Sequence, residues 1–315
     1  MKPTLGTTTQ LDRQGLKRGD EAYLDALAKH ADARFLVLAD AKPVIRSNAE
    51  RTEAHVRWFS RAELEPLGLA FADAIFLGTE RGGGGGRFAL ATTEHRVRHT
   101  PGMGELMRPI VDLRTLAMQG IMAPDDMSLI GQAKALGHWH ENTRCCGHCG
   151  GTTQIKDGGW KRKCWACGQE HFPRTDPVVI MLVVDQKGGR CLLGHEGRFA
   201  KEPRMYSTLA GFIEPGEDFA HAVQREVFEE AGIRVGEVLF HSMQPWPFPH
   251  SLMIGCIGLA ETTEINIDTN EIEEARWFSR DEVRQMMTGK HPQKWWVPGK
   301  QAIARALITH FVEKM

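Results

Sequence analysis

Apolar and polar positions alternate in short strand-like runs over the first hundred residues. Phe35-Leu36-Val37-Leu38 and Pro43-Val44-Ile45 read as strands about a short turn, Trp58-Phe59 ends another, and Ala74-Ile75-Phe76-Leu77 makes a fourth. A helix starts at Ser60. Over residues 126–140 the period changes to that of a helix, with Ile130, Ala133, Leu136 and Trp139 on one face. From Pro177 the strand pattern returns: Val178 to Val184, a Lys187-Gly188-Gly189 turn, Cys191 to Gly194, Ser207 to Ala210, Val238 to Phe240 and Leu252 to Leu259. An amphipathic helix follows Gly216, with Phe219, Val223 and Val227 toward a core, and another closes the chain over about 300–313. Strands mixed with covering helices predict an α/β protein with a mixed sheet between helices. Residues 1–30 are polar and read as an irregular arm, and Gly82 to Gly86 as a flexible hairpin tip. That glycine run is no phosphate loop, because no Lys-Ser/Thr pair follows it.

One internal echo bears on organisation. Arg57-Trp-Phe-Ser-Arg-Ala-Glu-Leu64 is repeated as Arg276-Trp-Phe-Ser-Arg-Asp-Glu-Val283, and each contains Ser-x-x-Glu, a helix-capping box. Two readings are open: a strand-to-helix junction that local physics produces twice, or a diverged duplicate of the C-terminal fold.

Length and charge then narrow the class. A chain of 315 residues with 42% apolar side chains has enough material for two domains and something smaller. Its net charge of −1 gives no overall pull toward nucleic acid or membrane, so a polyanion must be held locally. The run Val178 to Val184 is too short to span a bilayer and the start, MKPTLGTTTQ, has no apolar signal segment. The expectation is a cytoplasmic protein with no membrane partner.

Among seven cysteines, Cys146-Gly-His-Cys149 and Cys164-Trp-Ala-Cys167 form two CxxC pairs separated by fourteen residues. Two thiolate knuckles at this spacing read as a ribbon holding structural Zn²⁺ with four sulfurs and no open position. Cys145 is in a CxxxC register with Cys149 and is left out, while Cys191 and Cys256 lie in apolar runs and read as core. The basic stretch Lys161-Arg162-Lys163 is either a solvated charge run or a guide for a nucleic-acid strand.

The densest chemistry lies between Gly211 and Ile233. Glu226, Glu229 and Glu230 recur at spacings of three and four and share roughly a 100° arc of one helix face. Carboxylates so placed repel one another, so a hard divalent cation, Mg²⁺ or Mn²⁺, is expected there. Arg225 reads as a brace. Beyond the helix, Gln244-Pro245-Trp246-Pro247-Phe248-Pro249-His250-Ser251 alternates prolines with aromatics. The stiff backbone presents two rings to a flat ligand, or else buries them in the core.

The segment Gly211, five residues, Glu217, seven residues, then Arg225-Glu-Val-Phe-Glu-Glu-Ala-Gly-Ile233 matches the signature of the Nudix hydrolases. With the two knuckles, Phe172-Pro-Arg-Thr-Asp-Pro177 and the aromatic array, the chain resembles the zinc-ribbon NADH pyrophosphatases of that family. Met243 stands where members usually carry serine.

The resemblance implies a Nudix α/β/α sandwich over 174–315, a zinc ribbon over 141–173 and an N-terminal α+β domain over 1–140. It implies Glu226, Glu230, Glu271 and the Ala210 carbonyl as ligands of Mg²⁺ or Mn²⁺, with Glu226, Glu229 and Glu230 as the catalytic cluster. Glu230 is the preferred base or water-orienting group and Glu229 the alternative, which the sequence does not separate. Gln244, Pro245, Trp246, Pro247, Phe248, Pro249, His250 and Ser251 match a substrate-binding array, joined by Phe172, Ala304 and Arg114. The implied reaction is hydrolysis of NADH or NAD⁺ to nicotinamide mononucleotide and AMP by a homodimer. NAD-capped RNA is an alternative substrate, and a non-catalytic nucleotide sensor or ribbon interaction module is the rival from another class.

Overall fold

The computed structural model describes residues 11–197 and 203–315, which group into two compact units. One runs through Arg174 and includes Pro247–His250; the other holds Thr175–Trp246 and Ser251–Met315.

In the N-terminal unit the expected arm lies partly outside the described residues, and the rest is not wholly irregular. Helix α1, Glu21–Lys29, is capped by the Asp20 side chain accepting from the Tyr23 amide. Leu24, Leu27 and Ala28 pack on the core. Only three apolar contacts on a short, polar-flanked segment explain why the pattern hid this helix.

The strands of this unit are β1 (Arg34–Ala39), β2 (Lys42–Pro43), β3 (Ile45–Ser47), β4 (Ala54–Val56) and β5 (Trp58–Phe59). After helix α2 (Arg61–Leu64) come β6 (Ile75–Thr79) and β7 (Gly86–Thr92), joined by the glycine-rich turn as expected. Helices α3 (Glu94–His99), α4 (Met103–Leu106), α5 (Leu113–Gln119) and α6 (Pro124–Asn142) follow. Proline at its first position suits the start of α6, and its Ile130, Ala133, Leu136 and Trp139 are buried as the period predicts. The main sheet runs β2-β1-β7-β6, with β5 also on β1. Phe35, Phe76 and Phe88 interlock in its core, Phe35 and Phe88 stacked at 5.3 Å.

The ribbon consists of β8 (Thr153–Lys156), β9 (Lys161–Cys164) and β10 (Glu170–His171), paired antiparallel in the order β10-β9-β8. Its join to α6 is a buried polar network. Arg162 donates to Thr153 Oγ1 at 2.7 Å, to the Thr153 carbonyl at 2.9 Å and to His140 Nδ1 at 3.0 Å, and His140 Nε2 donates to the Gly159 carbonyl. Burial, with the Arg162 charge alongside, lowers the His140 pKa to about 4, so the ring stays neutral and accepts from Arg162.

The C-terminal unit contains β11 (Asp176–Val184), β12 (Arg190–His195), β13 (Leu209–Phe212), helix α7 (Phe219–Ala231), β14 (Val235–Trp246), β15 (Ser251–Ala260), β16 (Glu274–Ser279), α8 (Arg280–Thr288) and α9 (Ile303–Lys314). Its sheet is ordered β14-β15-β11-β12-β16, with β13 on β11 and β11 parallel to β15. Alternation along β11 explains its unbroken apolar run. Val179, Met181 and Val183 pack with Val223 and Val227 of α7, whereas Ile180, Leu182 and Val184 pack with Leu307, Ile308 and Phe311 of α9. The result is a mixed sheet between helices. Cys191 and Cys256 are buried in it.

The two units share a topological core. β6 pairs antiparallel with β7 and β7 parallel with β1, just as β14 pairs antiparallel with β15 and β15 parallel with β11. The repeated octapeptide opens a capped helix in each, with Ser60 and Glu63 or Ser279 and Glu282 making the reciprocal bonds. It precedes the β6–β7 hairpin in one unit and follows β14–β15 in the other, so the echo marks a junction, while the strand order carries the duplication. Among the described residues no helix is long and apolar enough to cross a membrane.

Candidate active site and zinc centre

Helix α7 begins where Asp218 accepts from the amides of Ala220 and His221, and ends at Gly232, whose φ of 69° terminates it. Its apolar stripe fixes the rotation, which turns Glu226 and Glu230 toward β13. A third carboxylate arrives from the loop before β16. That loop is bonded to the end of α7, Asn266 N to the Ala231 carbonyl at 2.9 Å and Asp268 N to the Glu230 carbonyl at 3.2 Å. Carboxylate oxygens of Glu226, Glu230 and Glu271 thereby lie within 4.8 Å of one another. Glu229 is not in this cluster: it is half exposed and accepts from Arg225 at 3.0 Å.

Arg225 is the brace the sequence suggested, with more partners than its helix spacing reveals. Its guanidinium donates to both oxygens of Glu217 at 2.7 and 2.9 Å, to Glu226 at 2.8 Å, to Glu229 and to the Phe212 carbonyl. Hydrogen bonds from Arg225 and from the Glu214 amide hold Glu217 down to about 2. Glu230 and Glu271, by contrast, have no cationic side-chain partner among the described residues. Burial first, then the charges of Glu226, Glu271 and Glu196, push Glu230 up to about 8. The Ala210 amide opposes this by donating to it. Burial likewise raises Glu226.

Three carboxylates with oxygens within 4.8 Å of one another, one of them buried without a counter-charge, suit a hard divalent cation, and the residues present fit Mg²⁺ or Mn²⁺. Gly211 on β13 completes the cradle. A Cβ at this position would fall 1.8 Å from the Glu226 carboxyl carbon and 2.1 Å from each of its oxygens. Gly211→Ala should therefore displace Glu226 and lower kcat at least tenfold, with a shift in melting temperature of no more than a few degrees, because the collision involves a site side chain. Steady-state kinetics beside thermal melting checks this.

In the ribbon, Cys146, Cys149, Cys164 and Cys167 bring their sulfurs within 4.8 Å of one another. Cys146 and Cys167 are 3.8 Å apart, and Cys149 and Cys164 3.5 Å. Four sulfurs at about 2.3 Å from a tetrahedral zinc stand about 3.8 Å apart, so the set fits Zn²⁺. Each knuckle turns on a glycine at positive φ, Gly150 at 74° and Gly168 at 76°, whose amides return to the Cys146 and Cys164 carbonyls. Amides of Cys167 and Ala166 draw the Cys164 thiol down to about 6. His171 Nε2 is 3.3 Å from the Cys146 sulfur. Cys145 is exposed and outside the cluster.

The expected array is divided between the units. Gln244, Pro245 and Trp246 end β14 and Ser251 starts β15, Trp246 in register with Ser251. Gln244 is fully buried. Its amide donates to the Gln301 carbonyl at 2.8 Å and accepts from the Ile303 amide at 2.8 Å, which ties the array to the first turn of α9, where Ala304 is buried. Pro247, Phe248, Pro249 and His250 group instead with the N-terminal unit, as do Arg114 and the exposed ring of Phe172. The Arg114 guanidinium carbon is 4.9 Å from the centroid of Phe248. Sequence reasoning missed the polar stripe of α6 that receives this segment, Gly131, Lys134 and His138, because helical periodicity was read only for its apolar face.

The sequence matches three domain models of known proteins along most of its length. Residues 174–299 match the NUDIX domain model, 141–172 the NADH pyrophosphatase zinc ribbon domain and 32–139 the NADH pyrophosphatase-like rudimentary NUDIX domain. The chain is 34% identical to human "NAD-capped RNA hydrolase NUDT12" over 353 aligned positions, covering 96% of this chain and 72% of that protein. It is 37% identical to "NAD-capped RNA hydrolase NudC" of Mycobacterium bovis, covering 95% of this chain and 93% of that protein. It is also 45% identical to the Arabidopsis thaliana protein "Nudix hydrolase 19, chloroplastic", over 56% of this chain and 42% of that one. The chain belongs to the Nudix hydrolase family, and within it to the zinc-ribbon NADH pyrophosphatases. Its cofactors are accordingly Mg²⁺ or Mn²⁺, which the acidic cluster fits, and a structural Zn²⁺ in the ribbon.

Proposed function

We propose that this protein hydrolyses the diphosphate of NADH and NAD⁺ to the corresponding nicotinamide mononucleotide and AMP, and removes NAD caps from RNA by the same chemistry. The observation that carries this reading is the cluster that Glu226 and Glu230 of an intact acidic box form with Glu271 from the loop before β16. An intact box disfavours a non-catalytic sensor, and the relatives named as NAD-capped RNA hydrolases support the substrate.

A diphosphate resists hydrolysis because its own charge repels the attacking oxygen. Glu226, Glu230 and Glu271 would hold the divalent cation, which when bound would supply charge neutralisation and a more acidic water. Glu230 is our choice for the group that orients the attacking water and takes its proton, since it is buried in the cluster, whereas Glu229 is engaged outward with Arg225. Arg225 and Gly211 hold Glu226 in place. Gln244 positions the array through α9, and the Phe172 ring and the array supply binding for the dinucleotide.

We further read the chain as three regions with boundaries near residues 140 and 173, working as a cytoplasmic homodimer. Edge strand β14 exposes Leu239, Phe240 and Met243, an apolar strip suited to a second copy, and thiolate ligation of zinc suits a reducing compartment. Side-by-side kinetics on NADH, NAD⁺, ADP-ribose and NAD-capped RNA with Mn²⁺ tests the assignment. Turnover highest on the nicotinamide substrates is expected. Exclusive turnover of ADP-ribose would overturn it.

A further inference from the structure

Within the N-terminal unit a cavity of about 630 Å³ opens where β4, β5 and the end of β6 meet the first turns of α6. The residues that line it all belong to that unit, and none to the acidic cluster or the substrate array. Its size is that of a small-molecule site.

The aromatic wall is Trp58, from the repeated octapeptide, so the C-terminal unit supplies a comparison. There the matching Trp277 donates its indole N–H to the Thr263 carbonyl at 2.9 Å. Trp58 has no acceptor for its own indole N–H among the described residues. Each ring has an arginine beside it, Arg190 at 5.6 Å from Trp277 and Arg87 at 5.9 Å from Trp58. The N-terminal copy thus keeps the ring and its arginine without the backbone acceptor.

Charge around this ring is lopsided. Three carboxylates, Glu80, Asp125 and Asp126, face two guanidinium groups, Arg81 and Arg87. Arg87 is held in place by Glu80 at 3.1 Å and the Asp32 carbonyl at 2.8 Å. Asp126 accepts from the Val56 amide at 3.2 Å and has His55 Nδ1 at 3.4 Å. Acidic residues in the first turn also suit the dipole of α6, which accounts for Asp125 and Asp126 but not for a tryptophan-walled cavity beside them. Surplus carboxylate around an aromatic ring is the chemistry that holds an organic cation.

We propose that this cavity binds a planar organic cation, the pyridinium ring of an oxidised nicotinamide nucleotide, against Trp58 and beside Asp125. The choice of pyridinium rests on the proposed diphosphatase activity, whose NAD⁺ substrate and oxidised mononucleotide product both carry it. Their reduced forms have a neutral ring, so the site separates the two redox states by charge. The ring's carboxamide oxygen is an acceptor of the kind the Trp58 indole lacks. Arg81, with no carboxylate partner among the described residues, is a donor for the nucleotide's phosphate.

The test is equilibrium binding to the zinc-loaded chain without Mg²⁺ or Mn²⁺, so that nothing is cleaved. Oxidised nicotinamide mononucleotide, its reduced form, NAD⁺ and AMP are titrated into wild type, Trp58→Ala, Trp58→Phe and Asp125→Asn. The oxidised mononucleotide should bind about tenfold or more tightly than the reduced form or AMP, and Trp58→Ala and Asp125→Asn should each remove about tenfold or more of that affinity. Trp58→Phe, which keeps a ring and drops the N–H, should cost less. All three variants should leave kcat and KM on NADH with Mn²⁺ unchanged, because none belongs to the cluster or the array. Tight binding of the mononucleotide but not of NAD⁺ assigns the cavity to the product, and equal binding of both to the ring whatever it is joined to. Equal affinity for oxidised and reduced forms, or variants that bind as wild type does, overturns the proposal. Should Trp58→Ala fail to fold, Asp125→Asn, which preserves shape, decides alone. A wild type that binds the oxidised mononucleotide through Trp58 yet hydrolyses no NADH keeps the cavity site and sinks the diphosphatase reading.

Discussion

Glu230→Gln lowers kcat on NADH on the order of 10²-fold or more, and the metal-free variant melts no lower than the wild type. The two halves of this result have one cause. Glu230 is 5% exposed, and burial together with Glu226 and Glu271 disfavours its charge. Glutamine keeps the shape and removes that repulsion, so the fold does not suffer. By the proposed mechanism the same substitution removes a cation ligand and the carboxylate that takes the proton, groups whose loss costs about a hundredfold or more. Turnover above about a tenth of wild type would remove Glu230 from the centre of the reaction, and a collapse in melting temperature would make its role structural.

The second large effect concerns the ribbon. Cys164→Ser should abolish tight zinc binding and unfold the region around β8, β9 and β10, because a structural zinc site contributes on the order of 10 kcal/mol that the peptide cannot replace. Few apolar side chains are buried there; Arg162, Thr153 and His140 tie it to α6 through polar contacts. Wild-type protein should hold one zinc per chain with four sulfur ligands by metal analysis and X-ray absorption. A mild chelator should reversibly stop turnover by removing Mg²⁺ or Mn²⁺ while the zinc stays bound. Fewer than four sulfurs in the zinc shell would refute the assignment of Cys146, Cys149, Cys164 and Cys167.

Much of this was legible in the sequence because it was local. The acidic box, the two knuckles and the capped helices are set by spacing within a few residues, and periodicity alone identifies the buried face of α6 and the two-sided burial of β11. What spacing does not contain is the partner brought from elsewhere in the chain. Gln244 matches a substrate-binding array by resemblance, yet its two polar ends are taken up by Gln301 and Ile303 near sixty positions away. Glu229 and Glu230 are neighbours in sequence, and only the turn of α7 against β13 sends one to Arg225 and the other into the cluster.

Which bond is broken decides the matter most directly. NADH incubated with the zinc-loaded protein and Mn²⁺, with products separated and identified by mass, should give reduced nicotinamide mononucleotide and AMP in equal amounts, with formation by Glu230→Gln slower on the order of 10²-fold or more and none after chelation. Release of free nicotinamide with ADP-ribose, or equal product from the variant, would contradict a diphosphatase built on Glu226, Glu230 and Glu271.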